Sequence, residues 1–391
     1  MRAEARGGVG SSLSWVEVDL AALRANLASF RARIRSGVEL AHVVKANAYG
    51  HGLLLVAADD QASGIADRLA VNSVEELVRL REAGVRLPVL LLGYVPLHAW
   101  DEVVEAGGAP VVFHRESLEA VSRASAARGR ETAVHLKVET GTHRYGVPPE
   151  EVLELVELAG RLPGIRVEGI TTHFANIEDT TDHGYAMGQL ERFRDALRRI
   201  EAAGWTVPVP HTACSAAAIL FPESQFGLVR VGISSYGIWP SKETRVSAAH
   251  LGDASFRLAR VLTWKTRVAQ VKRVPAGSYV GYGCTWRAPV DSTLAVLPLG
   301  YADGYDRELG NAAHVLIGGC RAPVRGRVCM NVLIADVTHV PGVGLEDEVV
   351  LLGAQGDEEI TADQLAVWAG TIAYEIVARI GEHLPRVAVA G

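Results

Sequence analysis

Short apolar runs alternate with helical patterns in residues 39–93, ELAHVVKANAYGHGLLLVAADDQASGIADRLAVNSVEELVRLREAGVRLPVLLLG. This stretch contains three short apolar runs with helical patterns between them: ELAHVVKA from Glu39, RLAVN from Arg68 and PVLLLG from Pro88. Short apolar runs bounded by polar residues are typical of buried strands. Strands that alternate with helices predict a parallel sheet, so the stretch indicates consecutive β/α units.

The same alternation continues downstream in five further runs: PVVFH from Pro110, TAVHLKVET from Thr132, RVEGITTH from Arg166, PVPHTAC from Pro208 and GLVRVGI from Gly227. Eight strands separated by seven helical stretches predict an α/β chain with an N-terminal (β/α)8 barrel of the TIM type. The alternative is a doubly wound open sheet. It is disfavoured because no predicted strand is followed by a glycine-rich dinucleotide loop.

The character of the sequence changes near residue 250. From Phe256 onward, strand-like runs punctuated by Gly and Pro dominate, and TADQLAVWAGT is the one clear helical pattern. This composition predicts a mainly-β C-terminal domain. We therefore expect a polar leader at residues 1–13, the barrel at 14–245 and the β domain at 246–391, with the boundary in the polar segment SKETRVSAAH.

Composition limits the classes of function. The 391 residues are 49% hydrophobic and 21% charged, which describes a globular protein of two domains. A net charge of -6 without a basic run argues against a nucleic-acid partner, and no stretch is apolar enough to predict a membrane span. Four cysteines lack metal-ligand spacing, so we expect free thiols, no metal site and a cytoplasmic location.

Reactive side chains lie at the ends of several predicted strands, where (β/α)8 barrels place their active sites. These are Lys45, Arg144, His173, Ser215 and Arg230. Lys45 closes an apolar run, and a partly buried lysine can be a neutral amine that forms a Schiff base. The alternative is a lysine at a strand end whose stem lies on apolar surface while its amine stays in water.

The fifth predicted strand carries three polar side chains on one face. His135, Lys137 and Glu139 alternate with apolar residues, so we expect them to point into the barrel. Buried charges need partners. A structural ion pair, between Lys137 and Glu139 or between Glu139 and Arg144, therefore explains the pattern as well as a functional role does.

A phosphate site is expected after the last two strands of such a barrel. Ser215 opens a helix after the seventh run, and Gly232 and Ile233 follow the eighth. Free backbone N–H groups and a hydroxyl at these positions favour an anion. The alternative for each position taken alone is an ordinary helix cap and an ordinary turn.

The segment VVKANAYGHG, residues 43–52, resembles the pyridoxal-phosphate attachment motif of the alanine racemases. The resemblance covers nearly the whole chain in the order typical of the family: EVDLAALRANL, LKVETGTHRYGV, EGITTHFA, SAAA with LVRVGISSYG, VGYGCTW, LPLGYADGYDR, RAPVRGRVCMN and TIAYEIVARI. It implies a barrel followed by a β domain, with pyridoxal 5'-phosphate as the cofactor.

The resemblance also implies a two-base mechanism. Lys45 would hold the cofactor and act as the base on one face of the substrate α-carbon, while Tyr282 would act on the opposite face. Racemisation needs two such bases, because one removes the proton and the other returns it. In the family this tyrosine reaches the lysine of a partner subunit. The resemblance thus implies a homodimer with composite sites that interconverts L-alanine and D-alanine and supplies D-alanine for the cell wall.

Further roles follow from the same resemblance. The implied cofactor-binding residues are Lys45, Tyr49, Arg144, His173, Ser215, Arg230, Gly232, Ile233 and Tyr374. Arg230 would face the pyridine nitrogen and, because an arginine does not give up its proton readily, leave that nitrogen unprotonated. Arg144 and the backbone of Met330 would bind substrate, and a carbamylated Lys137 would hold Arg144. The implied gate to the site consists of Tyr301, Arg307 and Arg327.

Several positions depart from the pattern of the family: Glu139, Thr142, His143, Cys214 and Asn331. They leave the implied catalytic groups in place and bear on substrate range, so a racemase of serine or other small amino acids is the alternative. A related decarboxylase would carry a glycine-rich HxGS-type segment, which this sequence lacks. A single-barrel cofactor carrier would end before the β domain, and a glycosidase would need a second strand-end carboxylate beside Glu139.

Overall fold

A computed structural model of the chain describes residues 11–253 and 255–389. The chain begins with strand β1 (Trp15–Asp19) and helix α1 (Leu20–Arg31). It divides into two compact units, one of Leu23–Ala46 with Val56–Ala259 and another of the chain up to Ala22, Asn47–Leu55 and Arg260 onward. The expected leader at residues 1–13 lies almost entirely outside the described residues.

The first unit is built on an eight-stranded sheet, and each of the eight predicted runs forms one of its strands. These are β2 (Glu39–Val43), β3 (Arg68–Val71), β4 (Val89–Leu91), β5 (Gly108–Val112), β6 (Thr132–Lys137), β7 (Ile165–Thr171), β8 (Val209–His211) and β9 (Leu228–Val231). All neighbouring pairs are parallel, in the order β8-β7-β6-β5-β4-β3-β2-β9. The sheet confirms the predicted barrel.

The barrel closes between β8 and β9 without a regular ladder. The backbone N–H of Gly227 donates to Pro210 at 2.9 Å, and that of Arg230 donates to Ala213 at 3.0 Å. Pro208 and Pro210 have no N–H to give to a ladder, which accounts for the sparse pairing at this seam.

Helices connect consecutive strands of the barrel. They are α2 (Lys45–Tyr49), α3 (Leu53–Ser63), α4 (Val74–Glu82), α5 (Trp100–Ala106), α6 (Arg115–Ala127), α7 (Val152–Arg161), α8 (Gly184–Ala202) and α9 (Ser215–Leu220), with α10 (Lys242–His250) after β9. Helix α4 shows why they form. Ser73 and Glu76 make a reciprocal capping box, and Leu77 and Leu80 lie on the buried face.

The polar segment SKETRVSAAH, in which we expected the domain boundary, forms helix α10. The Ser241 side chain caps it by accepting from the backbone N–H of Thr244 at 2.8 Å. The compact units divide between Ala259 and Arg260, and β1 belongs with the C-terminal strands because it pairs with two of them.

The second unit is mainly β. Its later strands are β10 (Leu262–Arg267), β11 (Gln270–Val274), β12 (Tyr279–Val280), β13 (Trp286–Arg287), β14 (Ser292–Leu297), β15 (His314–Ile317), β16 (Cys320–Pro323), β17 (Leu333–Asp336), β18 (Glu348–Gln355), β19 (Glu358–Ile360) and β20 (Arg386–Val389). The largest sheet runs β16-β15-β18-β10-β1-β20, with β19 on β18. Two smaller sheets run β11-β14-β17 and β12-β13.

Two helices interrupt the strands of the second unit. Helix α11 (Ala362–Ala369) was predicted, but α12 (Ala373–Ala378) was not, so the prediction of a single helix was wrong. Six residues are too few for a helical period to stand out in sequence. No helix within the described part of the chain combines the length and the apolar character needed to cross a bilayer.

Candidate active site

The backbone after Lys45 takes an uncommon conformation. Ala46, Asn47, Ala48 and Tyr49 have φ between 51° and 54°, so helix α2 is a left-handed turn. Each non-glycine residue in this region costs about 1–2 kcal/mol. The Asn47 side chain holds the turn, since its Oδ1 accepts from the backbone N–H of Leu53 at 2.8 Å. Such strain is a feature of functional sites, where surrounding structure maintains it.

Lys45 itself stands at the carboxyl end of β2 with its side chain half buried. Burial lowers the pKa of its amine, and the nearby charges of Arg144 and Arg230 lower that pKa further, while Glu76 opposes them. The Glu76 carboxylate also accepts from the backbone N–H of Ala46 at 2.6 Å. The neutral amine, which can act as a nucleophile or a base, is therefore more accessible here than at an exposed lysine.

Arg230 lies inside the barrel on β9, and its guanidinium is held by the ends of β7 and β8. Nη1 donates to the Thr171 hydroxyl at 3.1 Å, and Nη2 donates to the carbonyls of Thr172 and Thr212, each at 2.9 Å. A second side chain, that of His211, accepts from Nη1 through its Nδ1 atom. Burial lowers the pKa of Arg230 to about 10, so the group still carries its charge at neutral pH.

His173 follows β7 beside this arginine, with its Nδ1 3.4 Å from Nη2 of Arg230. Burial and the surrounding cations, Lys137 first among them, hold the pKa of His173 well below its usual value. The His173 carbonyl accepts from the Thr142 hydroxyl at 2.6 Å and from Gln189 Nε2 at 3.1 Å. Thr142, one of the departures noted in the sequence, therefore helps to position His173.

His135 and Lys137 on β6 lie inside the barrel, as the alternation predicted, whereas Glu139 lies beyond the end of that strand. Burial lowers the pKa of Lys137 to about 7, and Arg230 and Arg144 act in the same direction. Neither ion pair anticipated for Glu139 is present among the described residues. The Glu139 carboxylate instead accepts backbone N–H groups of Gly141, Thr142 and Arg144 and so shapes the loop that carries the exposed Arg144.

The two loops expected to bind phosphate meet. Ser215, the first residue of α9, accepts through its hydroxyl from the backbone N–H of Gly232 at 3.0 Å, and Ile233 follows directly in the same buried turn. The Ser234 hydroxyl in that turn is buried and has no hydrogen-bond partner among the residues that the structure describes. A buried polar group without a partner is costly, so the turn is prepared to receive an acceptor such as an oxyanion.

Sequence reasoning missed a buried group behind this turn. His42 lies 2.7 Å from Asp60 Oδ2 through Nδ1 and 2.7 Å from the Ser235 hydroxyl through Nε2. The arrangement has the residue types of a hydrolytic triad, but all three side chains are fully buried, so no substrate can reach the hydroxyl. The group instead braces the Gly232–Tyr236 turn. The sequence signals were a histidine within an apolar strand and an aspartate within an apolar helix.

A second set of the expected site residues lies in the β unit. Tyr49 and Tyr374 face each other there, with ring centroids 6.3 Å apart. Tyr282 begins a short 3-10 turn and is 74% exposed, and Met330 is 56% exposed. Both side chains are thus large and open to solvent in the described chain.

The residues expected to form a gate lie in the same unit. The backbone N–H of Tyr301 donates to Cys329 at 3.0 Å, which places Tyr301 beside Met330. Tyr301 and Arg307 line a cavity of about 270 Å³. Arg327 packs over the turn that carries Tyr282, because a Cβ added at Gly283 would lie 2.8 Å from Arg327 Nη1.

Comparisons with known proteins agree along the whole chain. The family model described as "Alanine racemase, N-terminal domain" matches residues 18–240, and that described as "Alanine racemase, C-terminal domain" matches residues 261–388. A curated alanine racemase of Desulfovibrio desulfuricans is 40% identical over 375 residues, covering 96% of this chain and 98% of that protein.

Solved structures give the same result. The alanine racemase of Clostridium difficile 630 superposes with a TM-score of 0.90 at 30% identity, and the match covers 97% of each chain. A structure described as alanine racemase from Bartonella henselae with covalently bound pyridoxal phosphate superposes with a TM-score of 0.83 at 26% identity, covering 97% of this chain and 100% of that one.

Proposed function

The chain belongs to the alanine racemase family, and we propose that it interconverts L-alanine and D-alanine with pyridoxal 5'-phosphate as its cofactor. The observation that carries the proposal is Lys45, an amine whose pKa is lowered by burial and by two neighbouring arginines at the mouth of a (β/α)8 barrel. The relative from Bartonella henselae, described with covalently bound pyridoxal phosphate, supports the choice of cofactor.

The residues of the barrel fit this cofactor chemically. The Lys45 amine would attach to its aldehyde carbon, and Arg230 would face its ring nitrogen. The Ser215 hydroxyl and the Gly232–Ile233 turn, with the unpartnered Ser234 hydroxyl, offer donors for a phosphate group. Tyr49 and Tyr374, whose ring centroids lie 6.3 Å apart, would offer two further hydroxyls. When bound, the cofactor supplies an electron sink that makes the substrate α-proton acidic.

The protein supplies the proton transfers. Lys45 removes or returns the α-proton on one face, and its lowered pKa favours the neutral form that such a base requires. Arg230 donates hydrogen bonds and keeps its own proton, because its pKa of about 10 lies far above neutral pH. His173 stays neutral beside it, so the positive charge facing the ring is that of the arginine.

Tyr282 would be the base for the opposite face, acting in the site of a partner subunit of a homodimer. Its 74% exposure supports this role, since a large aromatic side chain so open to solvent is available to a second copy of the chain. Met330 would bind the substrate carboxylate through its backbone N–H together with Arg144. Tyr301, Arg307 and Arg327 would control access to the site.

Lys137 would be carbamylated and hold Arg144 toward the cofactor. A pKa of about 7 favours the neutral amine, which is the form that reacts with carbon dioxide. We further propose that the chain consists of a cofactor-binding barrel and a β domain. It would act in the cytoplasm and supply D-alanine for peptidoglycan.

Replacement of Lys45 tests the function directly. In Lys45→Ala we expect the absorbance band of the lysine-linked cofactor to be lost. We also expect no conversion between the alanine enantiomers, measured by chiral chromatography. Lys242→Ala, which removes an exposed lysine at the start of α10, is the matched control and should convert alanine like the wild type. Conversion by Lys45→Ala at the wild-type rate would overturn the assignment.

A further inference from the structure

A line of hydrogen bonds runs through the barrel interior from Arg230 to Glu168. Arg230 Nη1 bonds His211 Nδ1, His211 Nε2 lies 3.0 Å from His135 Nδ1, and His135 Nε2 lies 2.9 Å from Glu168 Oε2. We call these four residues the relay. At the far end Arg68 Nη1 donates to the same Glu168 oxygen at 2.6 Å.

The chemistry of the end groups fixes the direction of every bond in the relay. A guanidinium only donates, so His211 must accept through Nδ1 and carry its proton on Nε2. That proton can be donated only to Nδ1 of His135, so this nitrogen carries no proton. His135 therefore carries its own proton on Nε2. A carboxylate only accepts, so Glu168 receives this last proton and closes the line.

The fold makes room for the relay. The imidazoles of His135 and His211 are fully buried, and Arg230 is 6% exposed. Gly169 on β7 lies beside the imidazole of His135, and a Cβ added at Gly169 would lie 2.0 Å from His135 Nδ1. A side chain at that position is therefore excluded by the presence of the ring.

Charge agrees with the geometry. Burial lowers the pKa of His135 and holds that of His211 well below its usual value, so both rings are neutral. The hydrogen bond from His135, together with Arg68, holds the pKa of Glu168 far below its usual range, so the carboxylate is charged. The relay thus joins a buried cation to an anion through two neutral rings.

We propose that Glu168 is a positioning residue for Arg230, and that it acts through His135 and His211 by fixing the tautomer of each ring. With both protons directed toward Glu168, the Nδ1 lone pair of His211 faces the guanidinium at all times. The opposite tautomers would turn an N–H against Nη1 of Arg230 and push the arginine from its place. The value of this placement for catalysis rests on the proposed function, in which Arg230 faces the cofactor ring.

Neutron diffraction from crystals of the deuterated, cofactor-loaded protein tests the relay without any assay of activity. We expect deuterons on Nε2 of both His135 and His211 and none on Nδ1 of either ring. A deuteron on Nδ1 of either ring would overturn the proposal. Because this result does not depend on turnover, it is separate from the outcome of the racemase assay.

A pair of isosteric variants tests whether the charge of Glu168 matters at Arg230. Glu168→Gln removes the negative charge and can present either its oxygen or its NH2 group to His135, so it no longer fixes the tautomer of that ring. Glu39→Gln is the matched control, because Glu39 also pairs with Arg68 at the same end of the barrel but makes no contact with the relay. Outer partners that orient metal ligands typically change activity about 10- to 100-fold when they are replaced, and we expect an effect of similar size for a residue that orients Arg230.

We therefore expect kcat to fall about tenfold in Glu168→Gln with little change in KM, and the absorbance maximum of the bound cofactor to shift. Glu39→Gln should keep the wild-type spectrum and rate. A purely structural role for Glu168 would lower stability without moving the spectrum. Equal spectra and rates in the two variants would therefore overturn the proposal, whereas absence of turnover in the wild type would overturn the proposed function instead.

Discussion

The Nε2 atom of His42 lies 2.7 Å from the hydroxyl of Ser235, which ties the first barrel strand to the turn that follows the last one. The Ser235 hydroxyl in turn donates to the carbonyl of Gly232 at 2.6 Å. The Ser235 hydroxyl therefore links the imidazole of His42 to the backbone of this turn. The brace therefore fixes the backbone of the turn that we expect to bind phosphate.

Removal of His42 should weaken this turn. In His42→Leu the buried Asp60 carboxyl group loses its hydrogen bond to the imidazole, and a buried polar group left without its partner costs about 1–3 kcal/mol of unfolding free energy. Urea denaturation of the cofactor-free protein measures the loss, and retention of cofactor on dialysis should fall as well. The exposed His98 offers a matched control as His98→Leu, and equal stability of the two variants would contradict the brace.

The space around His135 should not tolerate a side chain at Gly169. In Gly169→Ala the new Cβ would meet both His135 Nδ1 at 2.0 Å and the carbonyl of Val209 at 2.6 Å. Overpacking of this kind costs about 1–3 kcal/mol, measured as a lower midpoint of thermal unfolding. Gly188→Ala, inside α8 with no contact closer than 3.5 Å, should instead be neutral or stabilising, and the reverse order would refute the packing argument.

Carbamylation of Lys137 should depend on pH in a defined direction. The neutral amine attacks carbon dioxide, forms an N–C bond and releases a proton. With a pKa of about 7, the amine is available above that pH and is protonated below it. In bicarbonate labelled with carbon-13 we expect a carbamate signal that declines as the pH falls through about 7. The signal should be missing in Lys137→Ala, and its persistence there would assign the modification to another lysine.

Loss of the Tyr282 hydroxyl should affect the two enantiomers unequally. Tyr282→Phe removes the proposed base on one face of the α-carbon, and a general base contributes about 10²–10⁴-fold to rate. Exchange of the α-proton in deuterated water should therefore fall far more for one alanine enantiomer than for the other. Tyr279→Phe, at a neighbouring exposed tyrosine, should leave both rates unchanged. Small and equal losses in Tyr282→Phe would argue against its role.

Much of the barrel follows from sequence because each of its strands is a short apolar run between amphipathic helices. The eight runs from Glu39 to Val231 are the eight strands, and the inward face of His135 and Lys137 follows from simple alternation. Lys45, His173 and Ser215 follow the ends of β2, β7 and β8, whereas Arg144 lies on a loop beyond β6 and Arg230 lies within β9.

Other features depend on contacts that no local pattern records. The left-handed turn from Ala46 to Tyr49 contains no glycine, so its residue types do not predict a left-handed backbone. Strand β1 precedes the barrel in sequence yet pairs with β10 and β20, which lie at least 240 residues away. The bonds of His211 to both Arg230 and His135 join three strands, and alternation gives the face of a residue but not its partners.

The most direct test of the central proposal is α-proton exchange in deuterated water with pyridoxal phosphate, over a panel of L- and D-amino acids followed by chiral chromatography. We expect alanine to exchange its α-proton and change configuration faster than serine and larger amino acids. A faster reaction with another amino acid would leave the proposed mechanism in place but change the assigned substrate. Thr142, His143 and Asn331 would then be the next residues to replace. Cofactor binding without exchange of any α-proton would contradict the proposed function.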